Sequence, residues 1–168
     1  MKIILVLITL LICLLSTAQN PVGFDKMAKN MAGKKAPFIT QESLNKILAS
    51  NKPVVILDSR EQKEYDVSHL PNAIWVGYDQ VIWEKIELLD KNATIVIYCS
   101  VGYRSGKLTE ELRKKGFKNV KNLYGGLFNW VNNGGSVETS NHKKTSNVHG
   151  YNEKWSHWLN PTKATIIL

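Results

Sequence analysis

Residues 94–98, TIVIY, form an unbroken β-branched and apolar run that is too short to fill a helix and ends directly on Cys99. A run of this kind, without polar alternation, reads as a strand buried on both faces, which is the habit of parallel sheets. The same reading applies to 53–57 and to 73–76, and 119–123 is read as another strand. Between these runs lie segments with helical spacing. Leu44, Ile47 and Leu48 follow an N-cap at Thr40, and a short polar helix is predicted over 61–66. Val81, Ile82, Ile86 and Leu89 predict a helix within 78–89; Leu108 and Leu112 predict another, opened by Ser105 and closed by Gly116. A last short helix follows Gly125-Gly126 and runs through Trp130. Alternation of strands and helices predicts an α/β fold, with an open, mainly parallel sheet flanked by helices on both faces. Ligand sites in such sheets lie beyond the carboxyl ends of the strands, which is where Cys99 stands.

The two ends of the chain read differently. Lys2, the apolar run 3–15 and Ser16-Thr17-Ala18 match an export signal over residues 1–18, and predict a periplasmic or secreted protein if the source is bacterial. Residues 19–36 are small, polar and lysine-rich and read as a flexible leader, followed by one domain over 37–134. The extension 135–168 begins with a polar loop over 136–149. Tyr151, Trp155, Trp158 and Leu159 then share a helical face, and 164–168 is a short strand. This extension is expected to dock on the domain; its aromatic face is the alternative candidate for a protein partner. The formal charge of +8 comes from lysines scattered among Asp and Glu. That pattern predicts a solvated surface and no nucleic-acid partner, with a weak bias toward small anionic substrates. A monomer is expected.

Of the two cysteines, Cys13 falls in the signal segment, which leaves Cys99 without an internal disulfide partner. A lone thiol is a buried hydrophobe, an intermolecular partner or a chemical tool. The loop favours the last over a cysteine that merely finishes a buried strand. Strand, then Cys99-Ser100-Val101-Gly102-Tyr103-Arg104-Ser105, then helix aims several backbone N–H groups at a point above the sulfur, an arrangement that suits anions and favours thiolate. Gly102 allows close backbone approach, and Arg104 adds a guanidinium shaped for oxyanions. A cation at a helix N-terminus opposes the dipole, so Arg104 needs an anion or another partner there. His142, His149 and His157 share no metal-ligand pattern, and neither a metal nor a cofactor is expected.

These motifs resemble the rhodanese family over residues 38–133. The resemblance is carried by Asp58-Ser59-Arg60 with Glu64-Tyr65, by Ser68-His69-Leu70-Pro71-Asn72-Ala73, by the Cys99–Ser105 loop, and by Leu123-Tyr124-Gly125-Gly126 with Trp130. It implies a sulfurtransferase in which Cys99 is nucleophile and persulfide carrier, and Ser100, Val101, Gly102, Tyr103, Arg104 and Ser105 cradle the substrate. The partners would be a small anionic sulfur donor, thiosulfate or a persulfide, and a thiol or cyanide acceptor. Asp58 and Arg60 read as a structural charge set that could border the pocket, and His69 as a turn-fixing residue. Related phosphatases and arsenate reductases use a longer Cys-x5-Arg loop; here the spacing is Cys-x4-Arg. Many thiosulfate-using members place arginine directly after the cysteine, where this chain has Ser100. The alternative to an enzyme is a sulfide-carrying or protein-binding module that keeps the fold without turnover.

Overall fold

The computed structural model describes residues 20–33 and 35–168. The segment read as an export signal lies outside the described residues. In chain order the elements are α1 (Phe24–Met31), β1 (Phe38–Ile39), α2 (Gln41–Ala49), β2 (Val55–Asp58), α3 (Gln62–Val67), β3 (Ile74–Trp75), α4 (Trp83–Glu87), β4 (Thr94–Tyr98), α5 (Tyr103–Lys114), β5 (Asn119–Leu123) and α6 (Gly126–Asn132). The extension adds β6 (Val137–Glu138), β7 (Lys144–Thr145), β8 (Asn147–His149), α7 (Glu153–Ser156) and β9 (Thr165–Ile167). No helix among the described residues is long and apolar enough to cross a membrane.

The first five strands form one parallel sheet in the order β1-β5-β4-β2-β3. The chain leaves β2 toward one edge and β4 toward the other, so the direction of winding reverses between these two central strands. Their carboxyl ends are therefore the switch point at which open α/β sheets bind ligands. The absence of polar alternation in β4 has a direct cause. Val96 and Tyr98 join the core on one face, while Ile95 and Ile97 join the core on the other, and all four are fully buried. On the first face lie Leu44 of α2, Leu127 and Phe128 of α6, and Val148 and Leu159 of the extension; on the second, Ile86 of α4 and Leu108 and Leu112 of α5.

The structure revises several local expectations, and of the helical face read over Tyr151 to Leu159 only Glu153–Ser156 is helical, with Tyr151 outside it at positive φ. The leader over 19–36 contains a helix, α1, whose Phe24 and Ala28 are completely buried. Phe24, Met27, Ala28 and Met31 fall on one stripe, which burial against the sheet and the extension stabilises. The loop over 136–149 holds three short strands: β6 and β7 form an antiparallel pair, and β8 pairs in parallel with β9. The helix expected within 78–89 shrinks to Trp83–Glu87, because the Ile82 N–H bonds to the Val76 carbonyl and closes a turn over the preceding residues. Residues 135–168 lie on the domain, with Val148, Leu159 and Ala164 in its core and Trp158 edge-on to Phe24 at 6.0 Å.

Phe24→Ala is expected to lower unfolding stability by about 3–5 kcal/mol, the cost of emptying a buried aromatic site. Urea denaturation measures this; a change below about 0.5 kcal/mol, as for an exposed surface position, would return residues 24–31 to the status of a leader.

Candidate active site

The site grows from the end of β4. The Cys99 and Ser100 carbonyls accept the Leu127 and Phe128 N–H groups at 2.8 and 3.0 Å, so the first turn of α6 anchors the cysteine loop from behind. This contact needs the glycine pair. Gly125 and Gly126 both have positive φ, and a Cβ on Gly126 would overlap the Cys99 carbonyl oxygen.

From Cys99 the chain turns at Gly102, φ +97°, into α5. The Gly102 N–H donates to Cys99 Sγ at 3.2 Å, and Ser105 Oγ lies 3.4 Å from the same sulfur. Because α5 opens at Tyr103, the N–H groups of Tyr103, Arg104 and Ser105 make up its first turn and have no acceptor within the helix. Negative charge on the sulfur, or on a sulfur attached to it, therefore faces hydrogen-bond donors and the positive end of a helix. Asn122, on β5, fixes this geometry: its Nδ2 donates to the Gly102 carbonyl at 2.8 Å, and its Oδ1 lies 2.8 Å from Ser105 Oγ. Sequence reading passed over Asn122, since an asparagine within a strand run carries no signature of its own.

The partner that Arg104 required is a carboxylate within the protein. Glu64, fully buried on α3, accepts Arg104 Nη1 at 2.6 Å and Nη2 at 2.8 Å, the Ser100 hydroxyl at 2.7 Å, and the Glu61 N–H at 3.1 Å. Burial works against ionisation of Glu64, but the Arg104 hydrogen bonds and charge, with help from Arg60 and Ser100, outweigh it and hold the carboxyl below its ordinary range. Burial likewise opposes the Arg104 charge, and Glu64 together with the nearby Cys99 overcomes it, so this guanidinium stays charged.

The loop residues thus divide by task. Gly102 and Ser105 touch the sulfur, while the Ser100 side chain is committed to Glu64. Val101 turns its side chain into the core and Tyr103 stands half-exposed at the rim. Asp58 and Arg60 do not border the pocket: both are fully buried behind it, joined at 2.7 Å, with Arg60 also donating to the Ser68 carbonyl and the Tyr98 hydroxyl donating to Asp58. Their pairing is structural because desolvated charges need one another. His69 stacks on Tyr65 at 3.8 Å and its Nδ1 lies 3.0 Å from the Tyr65 carbonyl, at a turn rather than at the sulfur.

Above Cys99 opens a cavity of about 430 Å³. The loop forms its floor, and Tyr78, Asp79, Glu61, Met31 of α1, and Tyr151 and Trp155 of the extension form its walls. The Arg104 guanidinium lies over the Tyr78 and Tyr151 rings at 5.9 and 5.1 Å.

A cysteine closing the central strand of a parallel sheet, in a loop that presents a backbone donor to its sulfur, defines the class of this α/β domain. The rhodanese-like domain model matches residues 40–133, and the chain belongs to that family. A thiosulfate sulfurtransferase of Coxiella burnetii is 32% identical over 83 residues, covering 49% of this chain and 77% of that protein. A tRNA uridine(34) hydroxylase of Pelagibacter ubique is 33% identical over 115 residues, covering 67% of this chain but only 37% of its own length. The crystal structure of a rhodanese-like domain protein from Staphylococcus aureus superposes with a TM-score of 0.55 at 32% identity, over 62% of this chain and 98% of that one.

Because the Glu64 carboxyl is held below its ordinary range, the stabilisation it contributes is complete above the unfolded-state value of about 4.3 and is lost as pH falls through its lower folded value. Glu64→Gln is expected to flatten this acid limb and to lower stability at neutral pH by about 3 kcal/mol, since Arg104 loses its charged partner. Thermal melts between pH 3 and 7 read both effects; an unchanged acid limb would show that the pair contributes no pH-dependent stability.

Proposed function

We propose that this chain is a sulfurtransferase that carries sulfane sulfur as a persulfide on Cys99. The observation that carries the reading is the setting of one sulfur: the Gly102 N–H donating at 3.2 Å and the open first turn of α5, with Ser105 Oγ 3.4 Å away, all at the floor of a cavity. Such groups stabilise charge where it develops, without reorganising during the reaction.

In the loading half-reaction the Cys99 thiolate attacks the outer sulfur of the donor. With thiosulfate, a bond forms between Sγ and that sulfur, the donor S–S bond breaks, and the electron pair leaves on sulfite. In the discharge half-reaction a thiolate or cyanide attacks the outer sulfur of the Cys99 persulfide, and the electron pair returns to Sγ. Two displacements replace one difficult transfer, and neither needs an external oxidant. Phosphoryl chemistry is disfavoured by the same geometry, since the Arg104 fork that would grip a tetrahedral oxyanion is already closed on Glu64.

Intact-mass spectrometry after incubation with thiosulfate or a persulfide donor is expected to show a gain of one sulfur atom, about 32 Da, as covalent catalysis requires. Cyanide should remove it and Cys99→Ser should never acquire it. A chain that gains no sulfur from either donor would instead be a binding module.

A further inference from the structure

The walls above Cys99 make a poor seat for an inorganic dianion. Among the described residues lining the cavity, Arg104 is the only cation, and its fork is closed on Glu64. Two carboxylates, Glu61 and Asp79, share the wall, while the Ser100 hydroxyl donates to Glu64. The remaining surface is apolar and aromatic. The volume, about 430 Å³, falls in the range of about 300–1,000 Å³ that small organic ligands fill.

The aromatic wall is also held in place at a conformational cost. Tyr151 has φ +67°, a left-handed conformation that a bulky side chain rarely adopts, and its N–H is pinned by a 2.9 Å hydrogen bond to His149 Nδ1. His149 is buried, and burial lowers its pKa, which keeps the imidazole in the neutral form that can accept this bond. Backbone held in a rare conformation beside a reactive group points to a role for the side chain it places. Trp155, on α7, stands next to it on the same wall, and Met31 closes the wall from the other end of the chain.

Resting on the sulfurtransferase reading, we propose that the sulfur exchanged at Cys99 arrives on an organic carrier, a persulfide or thiosulfonate whose apolar or aromatic body sits against Met31, Tyr151 and Trp155, in preference to thiosulfate. With a persulfide R–S–S–H, the Cys99 thiolate attacks the outer sulfur, the bond from that sulfur to R–S breaks, and the electron pair leaves as R–S⁻. The proton stays on the transferred sulfur. The donors at the floor serve the transferred sulfur of any carrier alike, and the paired guanidinium and two wall carboxylates add little for a second charge, so selection among carriers falls to apolar contact.

The test compares benzenethiosulfonate with methanethiosulfonate, monoanions that deliver the same outer sulfur and release a sulfinate. Loading of Cys99 is followed by intact mass in the full chain, and each rate is divided by the rate with free cysteine. In the wild type the aromatic donor is expected to load at least about tenfold faster after this correction, the discrimination that a fitted apolar group provides. Trp155→Ala and Tyr151→Gly should each bring the ratio below about threefold, as expected when a fitted apolar contact is lost. Glycine adopts the left-handed backbone freely, so the second variant removes the ring without adding strain. Because the ratio is internal to each variant, a general loss of activity does not imitate the result. Equal corrected rates in the wild type, or a preference that both variants retain, would overturn the organic-carrier assignment while leaving the persulfide mechanism standing. Failure of every donor to load Cys99 would remove both.

Discussion

The buried carboxylate of Glu64 is the interaction on which the arrangement of the site depends. It projects from α3, which follows β2, and binds both the Ser100 hydroxyl and the Arg104 guanidinium, which also meet each other at 2.9 Å. Two strand-end segments, brought side by side by the reversal of winding between β2 and β4, are thereby fastened across the switch point. Carrying a charge into the interior is costly unless it is both paired and hydrogen-bonded, and here the same partners that satisfy the carboxylate also fix the loop that cradles the sulfur. The electrostatic requirement and the positional one are met by a single set of contacts.

The parts of the fold legible in the sequence are those whose physics is local. The limits of β4 coincide with its apolar run, those of β5 with the segment read as a strand, and Thr40 caps α2 through the Ser43 N–H as its position implied. The cysteine loop was legible because a strand, a glycine turn and a helix start follow one another without interruption. What escaped depends on residues far apart in sequence. Glu64 was visible only as part of a motif, and its role appears when a residue thirty-five positions before Cys99 is brought by the sheet to Ser100 and Arg104. Asn122 is hidden for the same reason.

The ends of the chain teach a different lesson. The stripe of Phe24, Met27, Ala28 and Met31 was present in the sequence, but the surrounding lysines and small polar residues concealed it. The helix is held by what it touches: Asn20 reaches Asn129 and Asn132, and Phe24 meets Trp158. The strand β9 lies within the apolar run 164–168 read as a strand, whereas β8 has only three residues and no convincing pattern alone; parallel pairing with β9 makes it a strand. Tertiary context overrides weak local preference here, as it commonly does for short elements.

The near-complete burial of Cys99, which leaves 1% of the residue exposed, bears on how long a persulfide would survive. Bridging two proteins by a disulfide requires their Cα atoms to approach within about 7 Å, and a sulfur buried at the floor of a cavity with aromatic walls hinders a second polypeptide in that approach. Small molecules retain access through the mouth. The same enclosure that admits a donor would therefore shelter the loaded sulfur from capture by other proteins, making reaction lifetime a property of the cavity's shape as much as of the sulfur's chemistry.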